Sequence, residues 1–246
     1  MKKIILSVIL CFTIFGTLSA QDRGFEYRVL AGFNIGGTAP IPLARQIRHI
    51  DGYNPSLSLM LGADVTRHIN EKWGVRSGLK FETKGMTTRA QVRNYQITMN
   101  VSDGDKTGTM EGIFTGKVKT ISKNAYLTLP VTAVYKFNDR WQVSGGAFVS
   151  LLLDGDFNGE AHDGYIREGI PTNPPVGVTL ATYDFSDDIR NFNWGAQLGG
   201  SWRAFRQFSV FGDMTWAFNS IFKDDFKSIS FDMYNIYLNI GFAYTF

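Results

Sequence analysis

The chain has 246 residues with 25 basic and 22 acidic side chains and a formal net charge of +3, a balance that leaves no electrostatic footprint for nucleic acid. A single cysteine, Cys11, excludes a disulfide framework and thiolate metal sites. Phe, Tyr and Gly are plentiful (20, 10 and 26) against 7 Pro, and no apolar stretch after residue 20 approaches the length of a spanning helix, so membrane-spanning strands are favoured over helices.

Residues 1–20 read as a signal peptide. Lys2 and Lys3 form a positive start, Ile4 to Phe15 is an apolar run broken only by Ser7 and Thr13, and Ser19-Ala20 offers a small-residue cleavage site. A membrane anchor is the weaker alternative, because the run falls short of the roughly 20 residues that span a bilayer. Cys11 follows Leu10 rather than a small residue, which argues against a lipid-modified N-terminus. Cleavage near Ala20 would remove Lys2, Lys3 and Cys11, leaving a nearly neutral, cysteine-free chain and one domain over residues 21–246.

Eight segments then alternate apolar with polar or small residues at period two, the signature of half-buried strands. The first sets Phe25, Tyr27, Val29, Ala31, Phe33 and Ile35 against Glu26, Arg28, Leu30, Gly32, Asn34 and Gly36. The second sets Leu57, Leu59, Leu61, Ala63 and Val65 against Ser56, Ser58, Met60, Gly62, Asp64 and Thr66. The third runs from Trp73 to Glu82, with Val75, Leu79 and Phe81 opposite Arg76, Gly78, Lys80 and Glu82. In the fourth, Ala125 to Phe137, Pro130 lies on the polar face and implies a bulge or a locally missing ladder bond. The fifth, Trp141 to Leu153, has its polar face blurred by Phe148 and Leu152. The sixth, Phe192 to Arg203, and the seventh, Phe208 to Asn219, alternate cleanly and place Asp213 among the polar residues. The eighth, Phe231 to Phe246, puts Leu238, Ile240, Phe242, Tyr244 and Phe246 on one face. An aromatic ending of this kind resembles the signal that bacterial barrel-assembly machinery reads.

The connections alternate in length. His68–Lys72, Asn138–Arg140 and Ala204–Gln207 are short, whereas 38–55, 85–123, 154–191 and 220–230 are long and polar. Transmembrane barrels have short periplasmic turns and longer extracellular loops, so an all-β antiparallel transmembrane β-barrel of eight strands is expected, with ten as the alternative. Thr87–Val101 and Met110–Ile121 would be the two extra strands. Thr87–Val101 carries Arg89, Gln91 and Arg93 on one face and Thr88, Asn94, Gln96 and Thr98 on the other. Neither face suits lipid, so a hairpin above the membrane around Asp103-Gly104-Asp105 is preferred.

A soluble barrel would turn its apolar face inward. Against that reading, aromatic residues collect at both strand ends, and one face carries Glu26, Arg28, Asp64, Arg76, Lys80, Glu82, Lys136, Arg203 and Asp213. An Arg or Lys facing lipid near the midplane costs about 2 to 4 kcal/mol. The charges must therefore face the lumen, where Glu26, Arg28, Asp64, Arg76, Lys80, Glu82 and Asp213 are expected to form a paired interior network.

The run Tyr126-Leu127-Thr128-Leu129-Pro130-Val131 with Tyr135-Lys136-Phe137, then Gly145-Gly146-Ala147-Phe148-Val149-Ser150, and Gly78-Leu79-Lys80-Phe81 with Lys84-Gly85, resemble strands of the PorT-like outer-membrane β-barrel family. The resemblance spans roughly Phe25 to Phe246. It implies an outer-membrane barrel, accounts for Pro130, and offers an accessory role in protein secretion as one function. It implies no catalytic residues.

His49, His68 and His162 show no metal-ligand spacing, although His49 and His162 with Asp51 or Asp163 are the residues a metal or acid–base site would use. No metal, cofactor or catalytic residue is expected. A lipid-modifying enzyme would need a nucleophile and base facing the membrane, and an open pore would need a wider barrel. The favoured function is a non-enzymatic, monomeric structural or interaction protein of the outer membrane. Its contacts would be membrane lipids, the assembly machinery and a protein partner at 85–123 and 154–191.

Overall fold

The computed structural model describes residues 24–103, 106–169 and 172–246; the expected signal peptide, residues 1–20, lies outside them, as does part of the turn at Asp103-Gly104-Asp105. Ten strands follow in order: β1 (Phe25–Pro40), β2 (Ile47–Pro55), β3 (Ser58–His68), β4 (Trp73–Asp103), β5 (Lys106–Lys136), β6 (Trp141–Glu168), β7 (Val176–Asp184), β8 (Phe192–Phe205), β9 (Phe208–Ala217) and β10 (Met233–Thr245). Eight of them, all antiparallel, close a ring in the order β1-β3-β4-β5-β6-β8-β9-β10. The closing seam pairs Arg28–Pro40 with Met233–Thr245, so first and last strands meet and the ring leaves no open edge.

The outside of the ring is apolar. Phe33, Leu59, Leu61, Val75, Leu79, Phe81, Val131, Val149, Leu198, Met214, Leu238, Ile240 and Phe242 are all exposed, while their sequence neighbours turn inward. At the short-turn end, rings pack as Trp73–Tyr135, Trp141–Trp202, Phe208–Tyr244 and Tyr244–Phe246, with centroids 4.9–6.1 Å apart. At the opposite end Trp194, Trp216 and Phe218 form a second group. Amphipathic rings favour the two membrane interfaces, and the pair of girdles brackets the apolar band. Two of the short turns share one device: the Asn70 and Asn138 side-chain oxygens each accept two backbone N–H bonds from the residues two and three further on, closing the chain tightly.

The eight-stranded ring and the hairpin above it are as expected: among the described residues there are ten strands, β2 and β7 lie outside the ring, and the segments Thr87–Val101 and Met110–Ile121 prolong β4 and β5. Two expectations change in detail. The region 154–191 is not simply a loop, since it contains the far half of β6 and all of β7. The faces of Thr87–Val101 are also redrawn. A register shift between Val92 and Tyr95, with Asn94 at φ 54°, flips the alternation. Ala90 and Val92 point inward before the flip and Tyr95 and Ile97 after it, so Asn94 and Gln96 join Arg89, Gln91 and Arg93 on the exposed side. A straight period-two reading mixes the two faces because it carries no bulge.

Pro130 sits in an unshifted register. The ladder between β4 and β5 pairs Ser77 with Val131 and Lys80 with Thr128 but omits the two positions between, and the Ser77 hydroxyl donates to the Pro130 carbonyl at 3.0 Å. Proline thus costs the ladder bonds locally and makes no bulge.

Candidate functional site

Two regions collect the side chains that function would use, the lumen and the body above it. All seven charged residues singled out in the sequence turn into the lumen. Near the short turns one Glu26 carboxylate oxygen lies 3.7–3.8 Å from His68, Lys136 and Arg203. Next, Arg28 binds Asp64 with two parallel bonds of 2.8 and 2.7 Å, the fork geometry that makes such pairs strong. Arg76 donates to Thr66 and Gln142, both at 2.9 Å, and stands 3.9 Å from Asp64. Lys80 donates to Asp213 at 3.1 Å. Gly78 and Gly199 make the room: a Cβ on Gly199 would collide with the Asp213 carboxylate, and one on Gly78 with the backbone of Asp64.

Glu82 is surrounded. It accepts from Thr128 at 2.7 Å and from Asn239 at 3.3 Å, and lies 2.9 Å from the Lys84 ammonium. Lys84 stands over the rings of Tyr126, Phe148 and Tyr237, 5.3–5.6 Å from each centroid. The period-two pattern read from the sequence ends at Glu82 and leaves Lys84 out of the charged set, although Lys80, Glu82 and Lys84 keep one parity. Phe148, which blurred a polar face, is one wall of this cation's aromatic box. Leu30, Met60, Phe211 and Ala243 form a small apolar cluster in the same interior. Ion pairs and apolar side chains together fill a space that an eight-stranded ring makes just wide enough for side chains.

Above the ring, β4, β5 and β6 continue past the membrane band. The tip of β4 pairs with β7 at Asn100–Thr182 and Val101–Ala181, and β7 pairs with β6. The sheet therefore closes a second time, through β4-β5-β6-β7, around its own core. Ile97, Phe114, Phe157, Ala161, Ile166, Val178, Ala181 and Tyr183 are buried in it. The last long connection folds onto this body. Phe222 and Phe226 stack at 4.4 Å, Phe157 meets Phe222 edge to face at 4.9 Å, and Arg190 pairs with Asp224. Leu152, the other residue that blurred the fifth segment, packs against the same core: a bulge between Ala125/Asp154 and Tyr126/Leu152 shifts the register there. Burial holds the Tyr95 and Tyr183 phenols above the ordinary tyrosine range; the Tyr183 hydroxyl meets that of Thr120 at 2.6 Å. The outer surface is charged, with Lys117–Asp163 at 3.1 Å and Lys119–Glu160 at 3.4 Å.

Between this body and the ring lies an apolar cavity of about 300 Å³, lined by Ile47, Ile50, Met86, Val92, Tyr95, Val118, Phe157 and Met233 among others. No charged side chain lines it.

His49 stands near Asp51 on β2, whereas His162 and Asp163 are on β6 with Lys117. The Lys117 hydrogen bond, then that of His162, holds the Asp163 carboxyl below its usual range. The structure does not join the two histidines into one centre, and no cluster of three metal-holding side chains occurs among the described residues. No helix is long and apolar enough to cross a membrane, which says nothing about crossing with strands.

The family model described as "outer membrane protein beta-barrel domain" matches residues 19–223. No curated protein matches. Among solved structures, Ail, the attachment invasion locus protein of Yersinia pestis, aligns in complex with the heparin analogue sucrose octasulfate. Identity is 10% over 90% of this chain and 97% of that one, with a TM-score of 0.35. A second structure of Ail gives 12%, 91%, 99% and 0.34 in the same order. The translocator domain of the autotransporter NalP from Neisseria meningitidis gives 12%, 99%, 96% and 0.27. None of the three is near enough to inform a function.

Proposed function

The chain belongs to the outer membrane protein β-barrel domain family, and on that premise we propose that it is a non-enzymatic interaction protein, anchored by the eight-stranded ring and working through the body above it. The observation that carries this reading is that all four long connections contribute to one ordered structure with a shared apolar core. Anchoring alone needs only the ring. A prebuilt surface binds without first ordering its loops, which saves about 0.5–1.5 kcal/mol for each long side chain that would otherwise be immobilised. The filled lumen speaks against a pore.

On this reading residues 1–20 are a cleaved signal peptide and both mature termini are periplasmic. The outward set Leu238, Ile240, Phe242, Tyr244 and Phe246 serves recognition by the assembly machinery, and the monomer sits in outer-membrane lipid. Its protein partner meets the regions 85–123 and 154–191 from outside the cell. A photo-crosslinking residue at Lys117 or Leu180, compared with one at Asp139 in a short turn, tests this in intact cells. Discrete adducts from Lys117 or Leu180 support the reading. Adducts only from Asp139 would replace it with the periplasm-facing secretion role implied by the PorT-like resemblance.

A further inference from the structure

The apolar cavity has a side entrance, and its position in the fold says what can enter. The β1–β3 ladder ends at Asn34–Ser58 and the β3–β4 ladder at Met60–Glu82. Beyond those points β1 and β4 both run on with no strand of the ring between them. Among the described strands β2 alone covers the space, bonded to β4 from Ile47–Val92 to Pro55–Met86, and Leu43 and Phe231 add to the cavity wall. Toward β1 the contact of β2 is slight, chiefly the Tyr53 hydroxyl donating to the Gly36 carbonyl. Between β1 and β2 is a slot, and behind it is the cavity.

The slot opens at the upper edge of the lipid-facing band, where Ile236 pairs with Trp216 of the second girdle. Ile236, which lines the cavity, belongs to the same outward face of β10 as Leu238, Ile240 and Phe242, and Ile35, Leu43, Ile50 and Tyr53 beside the entrance are exposed. At the far end Val92, Val118 and Phe157 are 1–7% exposed. The wall offers hydroxyls from Thr38, Tyr53, Thr88 and Thr120 but no charge. A volume of about 300 Å³ stands at the lower end of ligand pockets, enough for one hydrocarbon chain and too little for a two-chain lipid.

We propose that the cavity holds one acyl chain of a membrane phospholipid, threaded sideways between β1 and β2 from the outer leaflet while the headgroup stays outside the slot. The whole chain reconstituted in vesicles carries the test. Phosphatidylglycerol with a diazirine at the end of one acyl chain is compared with the free fatty acid bearing the same chain, and adducts are mapped after irradiation. Phospholipid adducts on Val92, Tyr95, Val118 or Phe157, beside the ordinary belt adducts on Leu61 and Phe242, are expected. Ala90→Phe should abolish the cavity adducts and keep those of the belt, which also report correct insertion. If that variant does not insert, Val118→Phe on β5, which also lines the cavity, serves instead and should likewise reduce cavity labelling by the phospholipid. Adducts confined to the belt in the unaltered protein would overturn the proposal, as would cavity adducts from the free acid alone or cavity labelling unchanged by the inserted variants.

Discussion

Substituting Glu82 by Gln leaves shape almost intact and removes one buried charge, so it isolates what the lumen pairs contribute. Glu82 is 1% exposed and Lys84 is 3%. Gln can still accept from Thr128, but the Lys84 ammonium loses its counter-charge 2.9 Å away. Removing one partner of a buried pair costs about 3–5 kcal/mol. The three rings around Lys84 hold back a part, about 2 kcal/mol for a desolvated cation over an aromatic face. A net loss of about 1–3 kcal/mol follows. Adding Lys84→Met removes the stranded cation and should recover most of it, because a buried pair replaced by apolar side chains is often neutral or better. Urea unfolding in lipid vesicles, followed by tryptophan fluorescence, reads both variants. An unchanged midpoint for Glu82→Gln, or a double variant less stable than the single one, would refute the reasoning.

In planar bilayers the purified protein should show no steady conductance steps; stable ohmic openings would contradict a lumen filled by Leu30, Met60, Phe211 and the ion pairs. Gly199→Ala should lower stability because its methyl group meets the Asp213 carboxylate, and a wild-type unfolding midpoint would show that the space is not needed. Phe114→Ala should cost the upper body about 3–5 kcal/mol, seen as protease cleavage above the ring while the ring stays resistant; resistance throughout would mean the body does not depend on this core. Tyr95 and Tyr183 keep their protons in the folded body above the usual tyrosine pKa of about 10. Their contribution to stability is therefore full below that pH and lost as pH rises beyond it. Alkaline titration followed at the phenolate absorbance should show two tyrosines that ionise only as the upper body opens, and simple titration of every tyrosine near its ordinary pKa would contradict their burial.

Period-two alternation made the ring legible because lipid on one side and charge on the other force every spanning strand to repeat the same choice. The inward set Arg28, Asp64, Arg76, Lys80 and Glu82 could be read for the same reason, though not which acid meets which base, since pairing depends on register across neighbouring strands. Lys84 lay one step beyond the strand end drawn from sequence. The upper body was not legible as one structure. Its strands bulge at Arg93-Asn94 and again at Asp163, where φ is 52°, and each bulge swaps the faces of all that follows. Its core is also assembled from four separate connections, so Phe157, Tyr183, Phe222 and Phe226 show no common periodicity in the chain.

The most direct test of a ring in the membrane with its body outside the cell is single-cysteine labelling in intact cells by a membrane-impermeant maleimide. The only cysteine, Cys11, falls in the segment expected to be removed, so each introduced thiol reports alone. A cysteine at Lys117 should label at once, one at Asp139 only after the outer membrane is opened, and one at Leu61 in neither case. Labelling of Asp139 but not Lys117 in intact cells would invert the orientation, and ready labelling of Leu61 would remove the lipid-facing assignment altogether.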